Sequence, residues 1–193
     1  MLKAIVIDAK KIKSQERLDK IRTVQEEMHM VLNSSIFRDQ VYKMQKHGEK
    51  SKYKDYTNAQ IYAMLMEGAE EHKPDVDYIW NIWLAGYFSL KKVVGYMNIG
   101  KKWLHMNFRY FDTMSTCRVG SFFTHEQGHH LGFRHDFWRT ALRPFSICYQ
   151  LNKAYEYSYY KLRGKQISKV KVCYRPWKYL KLKKICTWKE IYE

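Results

Sequence analysis

The spacing of hydrophobic positions changes along the chain, and each change marks a predicted element. Residues 2–8 are mostly apolar and predict a first strand. From residue 15 onward, apolar side chains recur every three or four positions, which is typical of one face of a helix. Ser14 is a suitable N-cap for this helix, and the Asn-Ser-Ser run at residues 33–35 indicates its end.

The same analysis predicts the remaining elements as far as residue 162. A polar, basic loop and a second helix come first, followed by residues rich in Ile, Trp and Tyr that suit one or two strands. Two further apolar segments separated by a turn favour a hairpin. The predicted bounds are loop 43–56, helix Thr57 to Gly68, strands within 76–88, hairpin 92–97 with 102–107, a helix capped by Ser115 or Thr116, and a helix over 147–162.

One of these helices carries the spacing of a metal site. His125 and His129 are four residues apart, so both imidazoles project from one face of a helix and can hold one ion. Glu126 is next to the first ligand, where it can hold a metal-bound water. Gly132 can end the helix with a positive φ, so that the chain turns back and brings His135 to the same ion. Three nitrogen ligands leave one zinc position open, which is typical of a catalytic site.

The segment from Thr124 to Asp136 resembles the extended zinc signature of the metzincin metalloproteases, HExxHxxGxxH followed by a family-specific residue, here Asp136. The resemblance implies an α+β fold. A twisted mixed sheet with an antiparallel edge strand at Val93 to Met97 would pack on a long helix and an active-site helix, above a small lower subdomain. The implied domains are a catalytic domain over 1–164, with an upper subdomain over 1–132 and a lower subdomain over 133–164, and a C-terminal extension over 165–193.

The chain departs from the family beyond the third histidine. Metzincins place a methionine in a tight turn beneath the zinc, and Cys148 stands at that position here. Cysteine is also small and polarizable, so it can fill the same space; the alternative is that it binds the metal. The resemblance gives Tyr149 the role of a switchable zinc ligand or oxyanion donor, although it follows Cys148 immediately. The alternative for Tyr149 is an aromatic side chain that packs in the lower subdomain.

The resemblance implies a zinc-dependent endopeptidase with one catalytic Zn²⁺ on His125, His129 and His135. In that mechanism Glu126 is the general base for a metal-activated water, and Tyr149 steadies the oxyanion. The substrate would be a protein or peptide, laid along the edge strand by backbone hydrogen bonds.

The formal charge of +16 adds a second interpretation. Ten basic residues and no acidic ones lie between Lys161 and Lys184, and such a surface attracts polyanions or acidic proteins. The alternating pattern from Lys169 to Tyr174, with a return strand from Tyr179 to Trp188, predicts a β-hairpin. The alternative function is therefore a non-catalytic basic module, binding nucleic acid or belonging to a particle, with a vestigial or structural metal site.

Further features bear on location and redox state. The longest apolar run, 78–88, is too short to span a bilayer, and residues 1–8 do not form a signal peptide. We therefore expect synthesis in a cytoplasm, with association to a phage or other particle as an option. Free thiols are the expectation for the four cysteines, and a disulfide across the C-terminal hairpin, Cys173 to Cys186, is the lesser alternative.

Overall fold

A computed structural model of the protein describes residues 1–45, 53–71, 74–97, 101–135, 143–174 and 185–192. Within these ranges the chain is α+β, with six α-helices, a four-stranded mixed sheet and a two-stranded antiparallel sheet. It divides into two compact units, Met1–Tyr159 and Tyr160–Glu193. None of the described helices is both long and apolar enough to cross a membrane.

The first strand is followed by three helices, three further strands, three more helices and a final pair of strands. In order they are β1 (Lys3–Lys10), α1 (Gln15–Leu32), α2 (Ser35–Tyr42), α3 (Asn58–Glu67), β2 (Ile79–Tyr87), β3 (Gly95–Met97), β4 (Trp103–Asn107), α4 (Phe108–Phe111), α5 (Thr116–His130), a 3₁₀ turn (Arg143–Phe145), α6 (Ile147–Leu162), β5 (Ile167–Tyr174) and β6 (Ile185–Tyr192).

The four-stranded sheet has the order β1-β2-β4-β3. Strands β1, β2 and β4 are parallel to one another, and β3 pairs antiparallel with β4 at the edge. The predicted pairing of the two segments around residues 98–101 is therefore confirmed, and an antiparallel strand does form the edge. Alternate residues of β2 and β4 are fully buried and form the centre of the core: Trp80, Ile82, Leu84, Leu104 and Met106.

Helices α1 and α5 pack on each other, with α1 against β1 and α5 against β2 and β3. The predicted apolar stripe of α1 is buried, at Ile21, Val24, Met28, Val31 and Leu32. Helix α5 is buried along almost its whole length. A polar or charged side chain on α5 therefore needs either a partner in the core or access to a cleft.

The cap residues agree with the predictions at some positions and differ at others. Thr57 forms a full capping box with Gln60, and Gly68 ends α3 with a left-handed conformation, as predicted. Ser14 is the N-cap of α1, but its side chain makes no capping hydrogen bond. Helix α2 was not predicted: Ser34, which was expected only to help end α1, caps this new helix by accepting a hydrogen bond from the amide of Phe37.

The C-terminal strands β5 and β6 form an antiparallel pair. The predicted antiparallel pairing is confirmed, and the second strand is described from Ile185 to Tyr192, past the predicted end at Trp188. The predicted part of this strand over 179–184 lies outside the described residues. The register puts Cys173 directly opposite Cys186. The disulfide between them stays a prediction.

Candidate metal centre

The three predicted histidines lie together. One ring nitrogen from each of His125, His129 and His135 lies within 4.8 Å of the other two. The ring centroids are 5.2 Å apart for His125 and His129, and 4.9 Å apart for His129 and His135. Among the described residues, these three are the only group of His, Cys, Asp or Glu side chains arranged to hold a metal ion.

The turn after α5 brings His135 back to the helix. Gly132 has a φ of 91°, as predicted, and its amide donates to the carbonyl of His129 at 3.0 Å. A side chain at this position would also collide with Glu71 Oε1, 2.8 Å from the site of a Cβ. The amide of Phe133 then donates to the carbonyl of Gly128, also at 3.0 Å, which closes the turn. Asp136 lies outside the described residues.

The turn also sets the proton position on one imidazole. His129 Nδ1 lies 2.8 Å from the backbone oxygen of Phe133. Because a carbonyl oxygen can only accept, Nδ1 must donate, and a neutral imidazole then presents its lone pair at Nε2. This is the usual way in which a protein prepares a histidine to bind a metal. The three imidazoles and the fixed tautomer fit a zinc ion.

Glu126 is buried beside the cluster, with only 6% of its surface exposed. No described residue forms a hydrogen bond or ion pair with its carboxylate. Burial alone therefore raises the pKa of Glu126 to about 8. A cation on the histidines would lower this pKa again, because an opposite charge stabilises the ionised carboxylate.

Tyr149 and Cys148, at the start of α6, both contact the histidines. The ring centroid of Tyr149 lies 4.5 Å from that of His125 and 5.0 Å from that of His135. Cys148 is fully buried, with its Sγ 3.5 Å from His129 Nδ1. It does not belong to the group of possible ligands. The catalytic role of Tyr149 stays a prediction.

Two glycines of α5 allow α6 to come close enough for these contacts. A Cβ on Gly128 would lie 3.0 Å from Cys148 Sγ, and one on Gly120 would lie 2.3 Å from the hydroxyl of Tyr155. The later glycine of α5 faces the earlier residue of α6, so the two helices run antiparallel. Sequence analysis missed this role, for which the only sequence signal is two glycines eight residues apart on one helix face.

The site opens into a cleft of about 920 Å³. One wall is the edge of the sheet around β3, and the other walls come from α5 and α6. The residues that line it include the three histidines, Glu126 and Tyr149, together with Lys92, Val93, Val94, Gly95, Tyr96, Met97, Met114, Arg118, Phe122, Pro144, Asn152 and Glu156.

The other face of α5 carries a buried polar network that sequence analysis also missed. The carboxylate of Glu70 is fully buried and accepts hydrogen bonds from the backbone and side-chain amides of Asn81, at 2.6 and 3.1 Å. It also accepts a short bond from the side chain of Gln127, whose oxygen lies 3.0 Å from His130 Nδ1. Burial raises the pKa of Glu70, and its hydrogen bonds oppose that rise.

No protein-family model matches this chain, and comparison with curated proteins and with solved structures finds nothing similar to it.

Proposed function

We propose that the protein is a zinc-dependent endopeptidase of metzincin type. The observation that carries the proposal is the convergence of three imidazoles at the base of an open cleft, beside a buried carboxylate that no described residue engages. A structural zinc site needs four protein ligands and no general base. Glu126 therefore favours catalysis over the alternative of a vestigial or structural metal site.

Three imidazole ligands with an open fourth position suit zinc, which would supply Lewis acidity toward a carbonyl and lower the pKa of a water molecule. His125, His129 and His135 would hold it. The Glu126 carboxylate would take the proton of the attacking water and return it to the departing amine nitrogen.

The Tyr149 hydroxyl is the proposed donor to the oxyanion. Its ring contacts two of the three histidines and lines the same cleft, which supports this role. Loss of one such donor typically lowers kcat by about 10² to 10³. We expect a loss of that order in the Tyr149→Phe variant. A rate within twofold of wild type would limit Tyr149 to packing.

The edge strand supports the binding of an extended peptide. Among the described strands β3 pairs only with β4, and residues Val93 to Met97 line the cleft. A substrate chain could therefore add to this edge through backbone hydrogen bonds and cross the histidine cluster. This binding mode needs no particular side chain, so the specificity must come from the cleft walls.

The charges of those walls favour an acidic substrate. Arg118 is 62% exposed and uses one guanidinium nitrogen to pair with Glu156 Oε1 at 2.9 Å. Glu156 is only 13% exposed, and the same oxygen also accepts from Ser121 at 2.9 Å. The cleft therefore presents the arginine rather than the glutamate, and Lys92 adds a second positive charge. Arg118 precedes His125 by two helical turns, about 10 Å, so it would contact a side chain roughly three residues from the scissile bond.

The primary test combines metal analysis with digestion of a peptide library. The native chain should bind one zinc ion and cleave peptides, whereas the Glu126→Gln variant should bind zinc and cleave none. Cleavage by that variant would remove Glu126 from the mechanism. A native chain that cuts no peptide, yet shows salt-sensitive nucleic-acid binding after zinc removal, would favour the non-catalytic alternative.

The charge preference has its own test in the double variant Arg118→Glu/Glu156→Arg, which keeps the ion pair but reverses its orientation. The native enzyme should prefer acidic over basic library peptides, and the double variant should lose this preference by about tenfold or more. An unchanged preference in an active double variant would contradict the role of Arg118 and leave the peptidase proposal intact.

A further inference from the structure

The face of the main sheet opposite α1 and α5 is lined with aromatic rings. On β2 and β4 the buried core positions alternate with half-buried ones, and the half-buried positions carry Trp83, Tyr87, Trp103 and His105. Tyr96 joins them from β3 and is 42% exposed. A sheet face that contacts water usually carries polar residues, so partly exposed aromatic rings on this face indicate a surface for a partner with flat apolar groups.

The rings form two groups on neighbouring strands. Trp83 and Trp103 are register partners with centroids 5.9 Å apart, in an edge-to-face contact. Tyr96 stacks on His105 at 4.6 Å with an interplanar angle of 12°, and Tyr87 lies 5.8 Å from Tyr96. The two groups are separated by two residues along β4, or about 7 Å. The aromatic rings are therefore distributed across the neighbouring strands β2, β4 and β3.

Lysines surround these rings. Lys102 Nζ lies 4.0 Å from the ring centroid of Trp83, and Lys10 Nζ lies 4.5 Å from that of Trp103. Neither lysine forms an ion pair with a carboxylate of the described residues. Lys11 is close enough to His105 to help lower its pKa, after the larger effect of burial. The positive charge of this face is therefore not neutralised by acidic groups of the described residues.

We propose that this face binds single-stranded nucleic acid, with bases stacked on the aromatic rings and the phosphates held by Lys10 and Lys102. Base–aromatic stacking together with a basic surface is the combination used to bind single strands without strong sequence preference. A duplex fits less well because its bases are already stacked on one another. The net charge of +16 favours the same partner. The proposal does not depend on peptidase activity.

The test must separate this face from the basic C-terminal region, which would attract any polyanion. We would measure binding of the full-length chain to labelled oligo(dT) and oligo(rU) of about 15 nucleotides, a length that covers the usual site sizes. A duplex of equal length and a heparin fragment would serve as competitors. The expected result is that either single strand binds at least about tenfold tighter than the duplex and quenches tryptophan fluorescence. Equal binding of all polyanions without quenching would overturn the proposal.

Variants locate the contact. Trp103→Leu and Tyr96→Ala should each weaken oligonucleotide binding roughly 5- to 150-fold, the range for one lost stacking partner. Tyr96 is the more exposed of the two, so its variant remains informative if Trp103→Leu does not fold. Unchanged affinity in a folded Tyr96→Ala variant, with Trp103→Leu either unchanged or unfolded, would overturn the proposal.

A charge-matched pair of variants completes the design. Lys10→Ala/Lys102→Ala should reduce the slope of log affinity against log salt by about 1.4, because each phosphate contact to a single strand contributes about 0.7. Arg22→Ala/Lys43→Ala removes the same charge from α1 and from the end of α2, and should leave the slope nearly unchanged. Equal effects of the two pairs would indicate attraction by net charge alone and contradict a site on this face.

Discussion

A buried carboxylate lies at each face of α5, and only one of the two accepts hydrogen bonds from the described residues. On the cleft face, Glu126 is buried and receives no hydrogen bond from the described residues. On the rear face, Glu70 is fully buried but accepts hydrogen bonds from Asn81 and Gln127. Burial raises the pKa of both groups, yet only the rear carboxylate has donors that oppose the rise. A buried acid with several donors fixes the structure, whereas one without donors keeps its lone pairs available for chemistry.

Two neighbouring histidines, His129 and His130, also lie on different faces of α5. His129 belongs to the histidine cluster, and His130 lies about 100° further around the helix, where it contacts Gln127. The amide of Glu71 also donates to the carbonyl of His130 at 2.7 Å. The rear network thus anchors the final turn of α5, from which the chain leaves toward His135. Contacts on the rear face therefore stabilise the helix that carries two of the three clustered histidines.

The largest effect that separates the two faces should be on zinc affinity. Removing a proposed ligand by His129→Ala should weaken zinc binding by more than about 100-fold, which exceeds the usual effect of changing a residue that only supports a ligand. His130→Ala is the matched control and should change zinc affinity by less than that. Competition with a fluorescent zinc chelator measures both. Equal losses in the two variants would show that the faces are not functionally distinct.

The second effect should appear in the free energy of unfolding, with a larger loss when the rear carboxylate is removed than when Glu126 is removed. Glu70→Ala leaves three buried donor groups of Asn81 and Gln127 without their acceptor. It should reduce the free energy of unfolding by about 1–3 kcal/mol. Glu126→Ala, measured without metal, removes a buried acid that has no such donors and should cost less. Urea unfolding followed by circular dichroism measures both values. A larger loss for Glu126→Ala would contradict the comparison.

The cleft face was far easier to predict from sequence than the rear face. The spacing of His125, His129 and His135 with an intervening Gly132 is a local pattern, and helix geometry turns it directly into a cluster. Glu70 and Gln127 are 57 residues apart, so no local pattern pairs them. The contact depends on how α5 packs against the sheet. Neither the isolation of Glu126 nor the network behind it follows from residue types alone.

The other elements show the same limit: local patterns could be predicted from the sequence, whereas contacts between distant residues could not. Helix α6 has the predicted bounds, and its buried positions recur every three or four residues, which is a local pattern. Helix α2 was missed because Ser34 suits a helix end as well as a helix start. The contact between Trp83 and Trp103 depends on strand register, and these tryptophans are twenty positions apart in sequence. Local patterns thus predicted elements and one metal site, while contacts between elements required the fold.

The smallest effect should be a pH dependence at the rear carboxylate. Burial raises the pKa of Glu70 above its ordinary value of 4.5, so the folded protein holds this proton more tightly than the unfolded chain does. The stability that Glu70 contributes is therefore fully present below pH 4.5 and is lost as the pH rises through the raised value. The Glu70→Gln variant cannot titrate at this position. Its stability relative to wild type should therefore increase from acidic to neutral pH.

Unfolding both proteins in urea at matched pH values and taking the difference isolates this carboxyl group, because the histidines and all other groups titrate in both. A difference that stays constant between about pH 4.5 and about pH 8 would mean that the donors of Asn81 and Gln127 fully offset burial. Glu70 would then stay ionised across this pH range, and its pKa would differ from the raised pKa of Glu126. A difference that moves in favour of wild type as the pH rises would contradict the raised pKa itself, since only a lowered pKa gives that sign.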